Sequence, residues 1–182
     1  MSTTKQNSYY STQWDLFLKG DDNALEIIFS EHYSHLYNYG RKLTLDKTSV
    51  EDAIQELFID LIKYRKKISK TDNVKFYLIK SLRNKINSLR SNPIEMKFEI
   101  SDESSSSVDN NLYPGLKKQI DKLSSSEREI VYLKFYNNLK NAEISEVLGI
   151  KYQTVANHLL NAITKLRKSG KFKIFCLFIH SN

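Results

Sequence analysis

An all-α fold of two small helical domains is what this sequence predicts, and three observations carry the prediction. Five glycines and two prolines in 182 residues leave little of the turn chemistry a β-protein needs. Apolar residues recur at helical spacing over two long stretches. Between those stretches the pattern gives way to Ser91–Tyr113, which holds Pro93, the run Ser104–Ser107 and Asp109-Asn110-Asn111. That segment is too polar to bury a core and reads as a flexible linker. The boundaries follow as a first domain over residues 10–91, an acidic, serine-rich linker over 92–113, a second domain over 114–171 and an apolar tail over 172–182.

The clearest element of the first domain is a helix over Thr48–Tyr64. Val50, Ala53, Ile54, Leu57, Phe58, Leu61 and Ile62 recur there at i, i+3, i+4, i+7, i+8, i+11 and i+12. Thr48 and Glu51 offer a capping box for its start. Glu51, Asp52, Gln55, Glu56 and Asp60 decorate the other face. A solvated face is the ordinary reading; an acidic stripe on a basic protein is also a dock for a protein partner. After this helix the charge reverses, with Lys63, Arg65, Lys66, Lys67, Lys70, Lys75, Lys80, Arg83, Lys85 and Arg90 against Asp72 alone. Phe76 and Tyr77 lie among these cations, as in surfaces that track and stack single-stranded DNA. Phe76 is expected in the core, and Tyr77 is left open.

In the second domain Leu123-Ser-Ser-Ser-Glu127 predicts a capped helix start, followed by a helix through Ile130, Val131, Leu133, Lys134 and Phe135. Asn137-Asn138 gives a turn. A further helix from about Asn141 to Leu148 turns Ile144, Val147 and Leu148 inward and stops at Gly149. The last helix carries Val155, Leu159, Ala162, Ile163 and Leu166 on one face. The combined spacing of small Ser145, Gly149 and β-branched Val155 is that of a helix-turn-helix. It exposes Tyr152, Gln153, Ala156, Asn157 and Asn161 to a major groove, with Lys165, Arg167, Lys168 and Lys171 as the basic cluster beside them. Lys151 stands where a Ser or Asp cap is usual, which costs about 1 kcal/mol. Ala156 adds no charge, so a weak stand-alone reader of DNA is expected.

Whole-chain properties narrow the function classes. A formal net charge of +7 favours an anionic partner. The single cysteine, Cys176, allows no internal disulfide and fits a reducing cytosol. No signal peptide is predicted from the start of the chain, and no apolar run reaches the ~20 residues that span a bilayer. His32, His35, His158 and His180 lack metal-ligand spacing, no phosphate-binding glycine loop is present, and no catalytic residue, metal or cofactor is predicted. The linker carries Glu95, Glu99, Asp102, Glu103 and Asp109 against Lys97, acidity that serves solubility or mimics nucleic acid. The tail Phe172–Ile179 reads as packing, as a protein contact or as a membrane-surface contact.

Taken together, the motifs resemble the extracytoplasmic-function (ECF) sigma factors of the sigma-70 family, over about Trp14–Leu89 and Leu116–Lys168. "EDAIQELFIDLIKY" is similar to the family's ED-x-x-Q-x-x-F helix, matched by Glu51, Asp52, Gln55 and Phe58. "YLIKSLRN" is similar to the family's WL-x-x-I-x-RN segment, with Tyr77 at the tryptophan position and Arg83-Asn84 matching. "LSSSEREIVYLKFYNNLKNAEISEVLGIKYQTVANHLLNAITKLRK" looks like the sigma-4 domain.

The resemblance implies a bacterial cytoplasmic protein whose Glu51, Asp52, Gln55 and Glu56 dock on the β′ clamp helices of core RNA polymerase. Lys70, Asn73, Lys75, Tyr77, Lys80, Arg83 and Asn84 are then implied to read and melt the −10 element of promoter DNA. Tyr152, Gln153, Thr154, Asn157, Asn161, Lys165 and Arg167 are implied to read the −35 element, with a further contact to the β flap. It also implies an anti-sigma factor as a possible partner, no small-molecule substrate, and an acidic linker in the polymerase's RNA-exit path. The alternative is a stand-alone helix-turn-helix regulator with a sensor or dimerisation domain.

Overall fold

The computed structural model describes residues 3–44, 46–89, 120 and 122–168, so the expected linker, the apolar tail, Arg90 and Lys171 lie outside the described residues. The chain divides into two compact units, Met1–Ile94 and Glu95–Asn182. Every described element is helical.

In the first unit, α1 (Thr3–Leu18), α2 (Asp22–Leu43), α3 (Lys47–Tyr64) and α4 (Val74–Ser88) pack into a bundle, with a 3₁₀ turn at Arg65–Lys67. Trp14, Phe17, Ile28, Leu36, Tyr39, Ile54, Leu57, Leu78, Ile79 and Leu82 are at most 2 % exposed and form its core. The first helix starts at Thr3, well before the predicted domain edge at residue 10. Asp21 caps α2 by accepting from the backbone N–H groups of Asn23 and Ala24. Gly40 permits the contact of α2 with α3, because a Cβ there would lie 2.6 Å from Val50 Cγ1.

Three expectations for this unit are corrected. The cap of α3 is Asp46, which accepts from the Ser49 backbone N–H and hydroxyl, so the helix begins one residue before Thr48 and the Thr48/Glu51 box is not the start. A carboxylate placed two residues before Thr48 supplies the same acceptor and complements the helix dipole. Ile62, counted with the core face, is 54 % exposed, because Phe58 and Leu61 already complete the buried stripe. Phe76 is only half-buried, with the Lys80 ammonium 5.6 Å from its ring centroid.

The second unit is built from α5 (Ser125–Val131), a π-helical turn at Tyr132–Tyr136, α6 (Asn141–Leu148) and α7 (Tyr152–Lys168). Both α5 and α6 pack against α7. The predicted capping box is present: Ser124 accepts from the Glu127 N–H, and Glu127 accepts from the Ser124 N–H. The helix expected to run through Phe135 instead widens after Val131, stacking Tyr132 on Tyr136 at 4.8 Å. Asn138 takes the left-handed conformation at φ 56, which closes the turn before α6. Ile130, Leu133, Leu139, Ile144, Val155, Ala162 and Leu166 fill the core, while Leu148, Leu159 and Ile163 are only half-buried.

Candidate protein- and DNA-binding surfaces

Successive residues of α3 turn by about 100°, so Glu51, Ile62, Gln55, Ile59 and Asp52 share one outer strip opposite the core. All five are exposed, Ile59 at 60 % and Ile62 at 54 %. Glu56 lies beside this strip and, with Asp60, faces Lys85 of α4 at 3.6 and 2.6 Å. The carboxylates raise the Lys85 pKa against the opposing effect of burial, and they tie α3 to α4. The strip therefore sets two exposed isoleucines between polar side chains, unlike a uniformly charged solvated face.

The segment Ile68–Asn73 before α4 is held from below by α1. Trp14 is fully buried, donates its indole N–H to the Ser69 carbonyl at 3.2 Å, and meets the Tyr77 ring at 5.0 Å. Lys70 pairs with Asp15 at 2.8 Å while remaining exposed. The 3₁₀ turn is anchored by Arg65, which pairs with Asp22 and lies 4.7 Å over the Phe17 ring. Asn73 caps α4 by accepting from the Phe76 N–H at 3.1 Å. Lys75 is half-buried near His32 and His35, and burial lowers its pKa to about 8. Tyr77 and Arg83 are half-buried, and Asn84 is exposed. The residues expected at the −10 element thus lie along one loop and one helix, but Asn73, Lys75 and Tyr77 also have internal roles. Trp14 went unpredicted as a support for this loop; its signal was a lone indole whose N–H must find an acceptor once buried.

In the second unit, Gly149 adopts φ 66, ψ 31 at the end of α6. Nothing lies within 4 Å of the position a Cβ would take, so backbone conformation alone selects glycine there. Ser145 does more than its size predicts: its hydroxyl donates to the Ile150 carbonyl at 2.6 Å, and the Ile150 N–H returns to the Ser145 carbonyl. The turn is thereby fixed, and Val155 is fully buried behind it. Tyr152, Gln153, Asn157, Asn161 and Arg167 are exposed on α7, and Thr164 with them; Thr154 and Ala156 are half-buried. Gln153 donates its side-chain amide to Asn157 Oδ1 at 3.1 Å. Lys165, expected at the −35 element, donates to both carboxylate oxygens of buried Glu127 at 2.7 and 2.8 Å while its side chain stays half exposed. Burial opposes ionisation of Glu127, but the Lys165 ammonium and the Ser124 N–H outweigh it and lower its pKa.

Among the described residues there is no group of three or more His, Cys, Asp or Glu side chains placed to hold a metal ion. No described helix is long and apolar enough to cross a membrane.

Two family matches fall one in each unit: residues 28–92 match "Sigma-70 region 2" and residues 113–166 match "Sigma-70, region 4". The first begins inside α2 and leaves Trp14 outside it. No curated protein sequence matches the chain. Among solved structures, the fold is similar to CnrH in its complex with the cytosolic domain of CnrY, at TM-score 0.61 and 17% identity, covering 87% of this chain and 94% of that one. It is also similar to the sigma factor RpoE of Bartonella quintana, solved with the anti-sigma factor NepR, at TM-score 0.59 and 17% identity, covering 81% of this chain and 96% of that one. With region 2 in its first unit and region 4 in its second, the chain belongs to the sigma-70 family of transcription initiation factors.

Proposed function

We propose that the chain is an ECF-type sigma factor that binds core RNA polymerase and directs promoter-specific initiation without catalysing a covalent step. One observation carries the reading: a chain with regions 2 and 4 also presents, on α3, an exposed polar strip with Ile59 and Ile62 within it. Carboxylates and an amide beside exposed apolar side chains suit a protein interface, where a desolvated centre is ringed by polar contacts. Glu51, Asp52, Gln55 and Glu56 are assigned to the β′ clamp helices on this basis.

The loop from Lys70 to Asn73, together with Lys75, Tyr77, Lys80, Arg83 and Asn84 of α4, is assigned to the −10 element. Melting there costs unstacking energy, which binding of the extruded bases offsets. Lys80 over Phe76 keeps a cation beside a partly open aromatic ring, a pairing suited to a strand with exposed bases. Tyr152, Gln153, Thr154, Asn157, Asn161, Lys165 and Arg167 are assigned to the −35 element, Lys165 also pairing with Glu127. An anti-sigma partner is proposed by likeness to the RpoE–NepR complex.

The test is to add the purified chain to core polymerase with a pool of promoter fragments and to read sequence-selective initiation. Asp52→Ala combined with Gln55→Ala should weaken polymerase binding by about tenfold or more, since both side chains are exposed and contribute little to the fold. Unchanged polymerase affinity would remove the α3 assignment. Selective DNA binding without polymerase, and no initiation with it, would favour the stand-alone regulator.

A further inference from the structure

Leu160 is the most exposed large apolar side chain among the described residues, at 65 %. It does not border the core: at about 100° per residue it falls on the outer face of α7 with Gln153 and Asn157. Gln153, Ala156, Asn157 and Leu160 follow one another at i, i+3, i+4 and i+7, the spacing with which one helix face reads a groove over two turns. Two carry amides and two end in alkyl groups. The exposed cations of α7 come only in its last turn, as Lys165, Arg167 and Lys168, and Lys165 is held by Glu127.

We propose that Gln153, Ala156, Asn157 and Leu160 form a neutral reading stripe that selects A·T pairs, with Leu160 recognising the methyl group of a thymine. The proposal rests on the promoter-binding reading above and specifies the DNA chemistry of its −35 contact. The Gln153–Asn157 hydrogen bond leaves Gln153 Oε1 as an outward acceptor and Asn157 Nδ2 as an outward donor. Those are the complements of adenine N6–H and N7 in the major groove. Guanine is read best by Arg or Lys, which this stripe lacks, whereas the thymine methyl offers an apolar partner to a leucine. From Gln153 to Leu160 the helix rises ~10 Å, or about three base pairs at ~3.4 Å each. Ala156, which contributes no charge, is the small residue that lets the stripe approach the base edges.

The experiment uses the full chain assembled with core polymerase and a pool of duplexes randomised across the −35 region. Selected sequences should be A·T-rich where α7 binds. Replacing each selected thymine by uracil removes one methyl and retains pairing. One such position should lose about fourfold in affinity, the worth of burying one methyl. In Leu160→Ala that uracil effect should vanish while other positions keep theirs. Selection of G·C-rich sites, a uracil series with no cost, or an equal cost in wild type and Leu160→Ala would each overturn the proposal while leaving sigma activity intact. Loss of polymerase affinity in Leu160→Ala would also overturn it, by making the residue a protein contact. Failure of the assembled enzyme to select any sequence would overturn the promoter-binding reading and this proposal with it.

Discussion

His32 sits 5 % exposed on α2, with neither ring nitrogen hydrogen-bonded and Tyr10 edge-on at 5.1 Å. Burial, then the charges of Lys75 and His35, lower its pKa to about 4, against a smaller raising effect of Glu31. The unfolded chain, with an ordinary histidine near 6.5, binds the proton that the folded chain refuses. Stability is therefore full above about pH 6.5 and falls as pH drops toward 4, by up to about 3 kcal/mol from this residue. His32→Leu should flatten that dependence, and urea melts at pH 7 and pH 5 would show it; an unchanged slope would mean another group dominates. The sequence contained His32 but not this property. No ligand spacing marked it, and only the packing of α1 and α4 around it creates the effect.

Helix boundaries show where sequence patterns reach and where they stop. The Ser124/Glu127 box and the Gly149 stop were legible because the residue types are demanded by local hydrogen bonds and by φ. The start of α3 was not, because Asp46 and Thr48 are both good caps two residues apart and only the fold selects between them. The approach of α2 to α3 was hidden as well, since Gly40 inside a helix looks like a mere weakness until Val50 is placed against it. Gly40→Ala should destabilise the first unit by about 1–3 kcal/mol through overpacking. Adding Val50→Ala should cost less in the Gly40→Ala background than in wild type, because the clash is then relieved. A thermal-melt double-mutant cycle measures this coupling, and strict additivity would mean the helices part freely.

At the scale of the molecule, each unit has its own core, one centred on Trp14 and Tyr39, the other on Ile130 and Val155. A destabilising change in one should leave the other's transition in place. Trp14→Ala should lower the melting temperature of the first unit alone, and calorimetry that finds both transitions shifted would show that they fold together. The two-unit plan, the helix-turn-helix and the outer strip of α3 were visible in the sequence because periodicity and motif spacing are one-dimensional signals. The support of the Ile68–Asn73 loop by Trp14 and the capture of Lys165 by Glu127 depend on residues brought together across long stretches of chain.

The carboxylate of Glu127 joins the entry of α5 to the last turns of α7, while the Ser145–Ile150 hydrogen bonds fix the other end. In the −35 role proposed for it, a helix fastened at both ends acts as a stiff ruler. It has little freedom to tilt after a groove of the wrong width, so accommodation falls to the duplex. On the proposed −35 contact, promoters whose −35 region bends readily would be favoured even at base pairs that no side chain touches.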